Sequence, residues 1–116
     1  MRIIRLYTGE DGESHFEDIE VPLEDMGSGI RQSELIKATG IIFREIGGEY
    51  STEWHNAPRR QFVIRLEGRT EMEIGDGTKR QFGPGDMFLA EDTTGRGHTS
   101  LAVNHRPVKT VFITLD

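Results

Sequence analysis

The stretch that decides the fold runs from His55 to His98. It reads HNAPRRQFVIRLEG at residues 55–68, EMEIGDG at 71–77 and PGDMFLAEDTTGRGH at 84–98. In each segment short apolar or alternating runs are separated by turn residues, as is typical of strands joined by tight turns. Asp76-Gly77 is a strong hairpin signal, because the second turn position needs a positive φ that glycine adopts freely. The pattern predicts a hairpin flanked by two histidines that face one cavity.

Short strands are predicted along the rest of the chain as well. Fourteen glycines in 116 residues leave little room for helices. Leu23–Leu35 is predicted as a loop, in which Arg31–Leu35 forms at most one helical turn. Because no helical crossover separates the strands, parallel βαβ units are excluded and an antiparallel sandwich or barrel remains. Nine strands are predicted: Arg2–Tyr7, Phe16–Val21, Ile36–Ile46, Gln61–Leu66, Thr70–Ile74, Lys79–Phe82, Met87–Ala90, His98–Val103 and Val108–Leu115.

Size and charge narrow the class of protein. A length of 116 residues without a Pro/Ser-rich divider predicts one domain over residues 1–116. The chain has no cysteine, which excludes disulfides and thiolate zinc and favours a cytoplasmic protein. A net charge of -6 disfavours nucleic acid and anionic membranes as partners. The first ten residues lack the long apolar segment of a secretory signal or a membrane span.

The spacing of residues between His55 and Asn104 resembles that of the cupin superfamily, whose first motif has two histidines, a glutamate and a glycine. His55 corresponds to the first histidine and Gly68 to the glycine. Ala57 stands at the second histidine position and Gln61 at the glutamate position. Two of the four positions therefore match the family motif.

The second family motif has a glycine near its start and a histidine near its end. Gly85 and His98 occupy these positions, with Gly95 three residues before the histidine. The interval from Gly85 to His98 is two residues longer than in the family, and residues 91–94 replace the usual proline-containing turn. Ala102 stands where the family often has asparagine.

The resemblance implies an all-β fold, an antiparallel double-stranded β-helix or jelly-roll barrel, with its core motifs at about residues 48–104. It also implies a divalent metal (Fe, Mn, Zn or Ni) in the barrel mouth. His55, Gln61 and His98 are the candidate ligands. Imidazoles and an anionic carboxylate hold such an ion best, because the carboxylate offsets its charge. Gln61 offers only a carbonyl dipole, so a metal-free mouth with two neutral histidines is the alternative.

Alternation along Gln61–Glu67 leaves two orientations open, because successive side chains point to opposite faces of a strand. The family register points Gln61 and Arg65 into the barrel, where the guanidinium either pairs with a pocket carboxylate or awaits an anionic ligand. An apolar row of Phe62, Ile64 and Leu66 then faces outward and predicts a homodimer. Hydrophobicity alone favours the opposite orientation, with that row in the core.

Two further residues, Asp92 and Trp54, are candidates around the mouth, beside His98. Alternation places the small or polar Ser100 and Ala102 on the same face as His98, as a cavity wall needs. Asp92 either accepts hydrogen bonds from backbone amides of its loop or forms a catalytic acid/base group with His55 and His98. Trp54 either packs or stacks on a ligand at the rim.

Together these residues predict a small single-domain protein that binds a small polar, anionic molecule in the barrel mouth. The same residues allow for metal-assisted catalysis of an isomerase, lyase or dioxygenase type. The alternative is a non-catalytic binding or sensor protein without a metal. A third possibility is a structural subunit that works only through the row of Phe62, Ile64 and Leu66.

Overall fold

The computed structural model describes all residues, 1–116, as eleven strands and one 3₁₀ turn at Val103–His105. No helix in it has the length and apolar character needed to cross a membrane. The strands are β1 (Arg2–Thr8), β2 (Ser14–Glu20), β3 (Glu24–Gly27), β4 (Ile30–Gln32), β5 (Gly40–Ile46), β6 (Gln61–Glu67), β7 (Thr70–Glu73), β8 (Lys79–Phe82), β9 (Met87–Glu91), β10 (Thr99–Ala102) and β11 (Val108–Thr114). The all-β prediction is confirmed.

Six strands form the larger sheet, in the order β2-β1-β9-β6-β11-β5. All its pairs are antiparallel except β1 with β9, which run parallel. A parallel pair needs a long connection, and here most of the chain lies between the two strands. The expectation of antiparallel pairs throughout was therefore wrong at this one position.

The smaller sheet has three strands in the order β10-β7-β8. Its β7–β8 hairpin turns at Asp76-Gly77, as predicted. Gly77 has a φ of +88°, and the Asp76 carboxylate accepts a hydrogen bond of 2.8 Å from the Thr78 amide. The side chain therefore stabilises the turn that the glycine makes possible.

The core lies between the two sheets, where nine buried apolar side chains pack together. Phe82 and Phe88 are in contact across the interior, with ring centroids 4.5 Å apart. Such aromatic pairs contribute packing energy beyond the area they bury. The nine residues are Leu6, Ala57, Val63, Met72, Ile74, Phe82, Phe88, Ala90 and Phe112.

The predicted loop at Leu23–Leu35 instead contains the hairpin β3–β4, which pairs with neither larger sheet. Ser28 and Gly29 adopt positive φ angles of 56° and 79° at its turn. The sequence did not predict these two strands, because each is only three or four residues long and too short to show an alternating pattern. The helical turn allowed for Arg31–Leu35 is absent, and the following strand begins at Gly40 rather than Ile36.

Candidate ligand-binding cavity

A cavity of about 400 Å³ opens between the two sheets. Its wall combines apolar side chains of the core with polar groups from both sheets, which is the usual composition of a small-molecule site. The lining residues that matter most for its chemistry are Arg44, Tyr50, His55, Gln61, Arg65, Thr70, His98 and Thr110.

Strand β6 presents its polar face to this cavity. Gln61, Val63 and Arg65 line the wall and are only 4–6 % exposed. Phe62 and Ile64 point to the other side of the sheet and are half-buried, while Leu66 is 55 % exposed. The orientation is therefore the one expected from the family register, and the opposite orientation, which hydrophobicity alone favoured, is wrong.

His55 and His98 lie side by side at one end of the cavity. Their backbones exchange two hydrogen bonds, from the His55 amide at 3.0 Å and from the His98 amide at 2.9 Å. The ring centroids are 4.5 Å apart. Gly97 permits this approach, because it has a φ of +78° and a Cβ there would collide with the His55 carbonyl.

In each imidazole ring, Nδ1 is hydrogen-bonded to an oxygen acceptor of the protein. His55 Nδ1 lies 2.9 Å from the Glu53 carbonyl oxygen, and His98 Nδ1 lies 2.5 Å from Asp92 Oδ2. A carbonyl or a carboxylate can only accept, so both Nδ1 atoms donate. In the neutral imidazoles, Nε2 then carries the lone pair and is a hydrogen-bond acceptor or metal ligand.

Asp92 lies behind His98 and does not reach the rim of the cavity where we expected it. Its side chain is fully buried and accepts hydrogen bonds from His98 and from Ser14 Oγ, the latter at 2.8 Å. The other oxygen, Oδ1, is buried without a hydrogen-bond partner. Asp92 thus orients the imidazole, and any part it takes in chemistry must pass through His98.

Arg65 lies deeper in the cavity and is 6 % exposed. Its guanidinium donates to Thr110 Oγ1, to Thr70 Oγ1 at 2.6 Å and to the Phe82 carbonyl at 3.4 Å. No carboxylate forms a salt bridge with it, so pairing with a pocket carboxylate, one of the two predicted options, is wrong. Burial lowers the pKa of Arg65 to about 10, which leaves the side chain charged at neutral pH.

Trp54 does not line the cavity. The Arg96 guanidinium covers its indole at 4.4 Å from the ring centroid, and 37 % of the residue is exposed. The expectation that Trp54 shapes the rim is wrong, because the residue is not part of the cavity lining and its indole packs against the Arg96 guanidinium instead.

Several cavity residues escaped prediction. Thr70 and Thr110 bind the Arg65 guanidinium, and Arg44 lies with its guanidinium 4.4 Å from the Phe112 ring centroid. Alternation along β11 could have identified Thr110, since it shares a face with Phe112. No sequence signal links Ser14 to Asp92, because 78 residues separate them.

The residues present do not fit a tightly held divalent metal. The two Nε2 atoms are suitable ligands, but the third candidate, Gln61, is neutral and its Oε1 lies 3.5 Å from Arg59 Nη1. No group of three His, Asp or Glu side chains comes together to hold an ion. Without a carboxylate, this donor set leaves the charge of a dication uncompensated in a cavity that already contains a buried cation.

Solved structures with a similar fold include the following three. A Cupin 2 conserved barrel domain protein from Salinispora arenicola CNS-205 is 18% identical, with a TM-score of 0.52 over 66% of this chain and 61% of that one. Protein NMB1881 from Neisseria meningitidis is 15% identical, with a TM-score of 0.51 over 77% of this chain and 91% of that one. A Cupin 2 conserved barrel domain protein from Leptotrichia buccalis is 10% identical, with a TM-score of 0.51 over all of this chain and 41% of that one.

The chain thus spans about three fifths of the Salinispora protein and two fifths of the Leptotrichia protein. No family model matches its sequence, and no curated protein is significantly similar to it. At these identities the likeness concerns the fold alone. The two facing sheets and these structural neighbours establish that the chain has the cupin fold.

Proposed function

We propose that the protein binds a small anionic molecule in the cavity between its two sheets, within a single-domain jelly-roll barrel. The observation that carries the proposal is the buried guanidinium of Arg65, whose hydrogen-bond acceptors are all neutral and whose charge is offset only at a distance, by the Asp86 carboxylate. A buried charge without a counterion is unfavourable, and a bound carboxylate or phosphate would relieve that cost.

The geometry around Arg65 supports an anionic ligand further. Three of its five N–H groups are used by the protein, so two remain to donate to a ligand. Its two hydroxyl partners, Thr70 and Thr110, are themselves buried and hold the guanidinium in place. Such preorganisation reduces the entropy that a ligand loses on binding.

The experiment is calorimetric titration of the wild-type chain and of Arg65→Met with aliphatic carboxylates, octanoate first. We expect the affinity to fall about 100-fold in the variant, since hydrogen bonds to charged groups contribute about 1.5–3 kcal/mol. Arg69→Met is the matched control, because Arg69 is exposed and outside the cavity wall. Equal affinity of wild type and Arg65→Met would reject the proposal.

Metal-assisted catalysis is the second candidate function, favoured by the two Nε2 acceptors at the mouth. The missing carboxylate weighs against it, so the preferred function is metal-free binding, as in a sensor or carrier of small acids. Metal analysis of protein purified without chelator or nickel resin separates the two. Stoichiometric metal that is lost in His98→Ala would favour the metalloenzyme.

We further propose that two copies of the chain associate through the outer face of the larger sheet. On that face β5 exposes Ile41 at 56 % and Phe43 at 76 %, and β6 exposes Leu66 at 55 %. The half-buried Phe62 and Ile64 share the same face. An exposed apolar row of this kind usually marks an interface. A second copy presents the same apolar face, so the contact is self-complementary.

A further inference from the structure

The cavity has two chemically different ends, and strand geometry sets the distance between them. Gln61 and Arg65, which both line the cavity, are four residues apart on β6, which corresponds to about 13 Å at roughly 3.3 Å per residue. The opposite sheet gives the same spacing. His98 precedes Ala102 by four residues, and Ala102 pairs with Thr70, which binds the Arg65 guanidinium.

The end formed by the histidines accepts hydrogen bonds. His55 Nδ1 donates to a carbonyl and His98 Nδ1 donates to Asp92, so in each neutral ring Nε2 carries the lone pair, and both rings line the cavity with their centroids 4.5 Å apart. A ligand group that can only accept hydrogen bonds finds no donor at this end of the cavity. A hydroxyl or an amine of the ligand can donate to the Nε2 atoms.

The other end donates hydrogen bonds through Arg65, and the wall between the ends is mainly apolar, with Ser100 as a polar group midway along β10. Val63, Met72, Phe88 and Phe112 provide that wall. A short hydrophilic anion such as phosphate cannot reach both ends across it. A cavity of about 400 Å³ is also larger than such an ion needs.

Resting on the proposed anion binding, we infer that the ligand is an amphipathic acid: a carboxylate for Arg65, an apolar body, and a hydroxyl or amine for His55 and His98 at the far end. The carboxylate replaces the missing counterion of Arg65. The terminal donor satisfies the two Nε2 acceptors, and the body of the ligand contacts the apolar wall.

The test uses three probes of matched length: octanoate, its ω-hydroxy derivative and octanol. For the wild-type chain, calorimetry is expected to give an affinity about tenfold higher for the hydroxy acid than for octanoate, the factor that about 1.4 kcal/mol provides. Octanol, which lacks the acid, is expected to bind most weakly. This comparison needs no variant, so a folding defect cannot obscure it.

Variants then assign the two ends. His55→Leu is expected to abolish the advantage of the hydroxy acid over octanoate, while His105→Asn, at an exposed histidine outside the cavity wall, leaves it unchanged. Arg65→Met is expected to weaken both acids equally. In nitrogen NMR of the wild-type protein, the hydroxy acid should shift the Nε2 resonances of His55 and His98, and octanoate should not.

The outcomes separate the two proposals. If the hydroxy acid and octanoate bind equally well and both depend on Arg65, the two-ended ligand is overturned while anion binding stands. If neither acid binds, or Arg65→Met changes nothing, the proposed function fails and this inference fails with it. A hydroxyl advantage that persists in His55→Leu and leaves both Nε2 resonances unmoved also overturns the inference.

Discussion

The two faces of the larger sheet each carry side chains that are unusual for their surroundings. The inner face buries the polar groups Gln61, Arg65 and Thr110 beside the apolar core, while the outer face carries Phe43 at 76 % exposure and Leu66 at 55 %. A sheet optimised only for the stability of one chain would bury the apolar side chains and expose the polar ones. These exceptions are the basis of the two proposals, a ligand on the inside and a partner on the outside.

The largest effect is expected from Phe43→Lys on the outer face. A lysine at this position brings a charge into the proposed interface and removes an aromatic anchor, so the dimer dissociation constant should increase at least about 30-fold, as for an interface hot spot of 2 kcal/mol or more. Light scattering across a dilution series measures this change. Leu101→Lys, on the smaller sheet, is the matched control and should leave association unchanged. A wild-type protein that is monomeric at high concentration contradicts the proposed association.

A smaller effect is expected on stability when the inner cation is removed. Without ligand, Arg65→Met should raise the free energy of unfolding by about 1 kcal/mol, because an apolar side chain replaces a buried charge that lacks a counterion. Urea denaturation measures it. A loss of stability of more than about 2 kcal/mol would mean that the three hydrogen bonds of Arg65 matter more for the fold than its unpaired charge costs, and would make the residue structural.

Gln61→Glu tests whether the missing carboxylate is what weakens metal binding in the cavity. The change is nearly isosteric and adds the carboxylate that the donor set lacks, so zinc or nickel affinity should rise about tenfold or more, an effect of about 1.4 kcal/mol. Calorimetric titration with each metal checks this result. If His98→Ala in the Gln61→Glu background retains the gain, the metal is bound elsewhere.

The smallest expected effect concerns Glu91, the last residue of β9 in the same sheet. Burial alone would raise the pKa of Glu91, but hydrogen bonds from Arg5 at 2.6 Å and Arg60 at 2.7 Å outweigh it and lower the pKa below its ordinary 4.5. Stability from this group is therefore present above that value and is lost as the pH falls through the lowered pKa. Glu91→Gln should reduce the acid-induced loss of stability by less than about 1 kcal/mol, because the arginines are partly solvated. Urea melts at neutral and acid pH test it, and an unchanged acid loss would contradict it.

Local signals in the sequence were sufficient for most of the fold. Glycine turns and alternation located nine of the strands, since a turn such as Asp76-Gly77 depends only on its own residues. They failed at the hairpin β3–β4, whose strands are too short to show a period. They also failed to predict the parallel pairing of β1 with β9, which depends on contacts between distant parts of the chain.

The candidate site was only partly predictable, for the same reason. Alternation and the family register together oriented Arg65, although hydrophobicity alone pointed the other way. The position of Asp92 behind His98 depends on an irregular loop and on Ser14 from a distant strand, and no periodicity describes either. Trp54 was misplaced because its partner, Arg96, comes from another loop.

Gly97 makes the cavity vulnerable at a position that carries no functional group. Any side chain there would force the His55 carbonyl away and separate the two imidazoles, even though every ligand-binding residue remained in the sequence. Natural variation at this glycine is therefore a sensitive marker: relatives that replace it should have given up the paired acceptors and with them the chemistry of that end of the cavity.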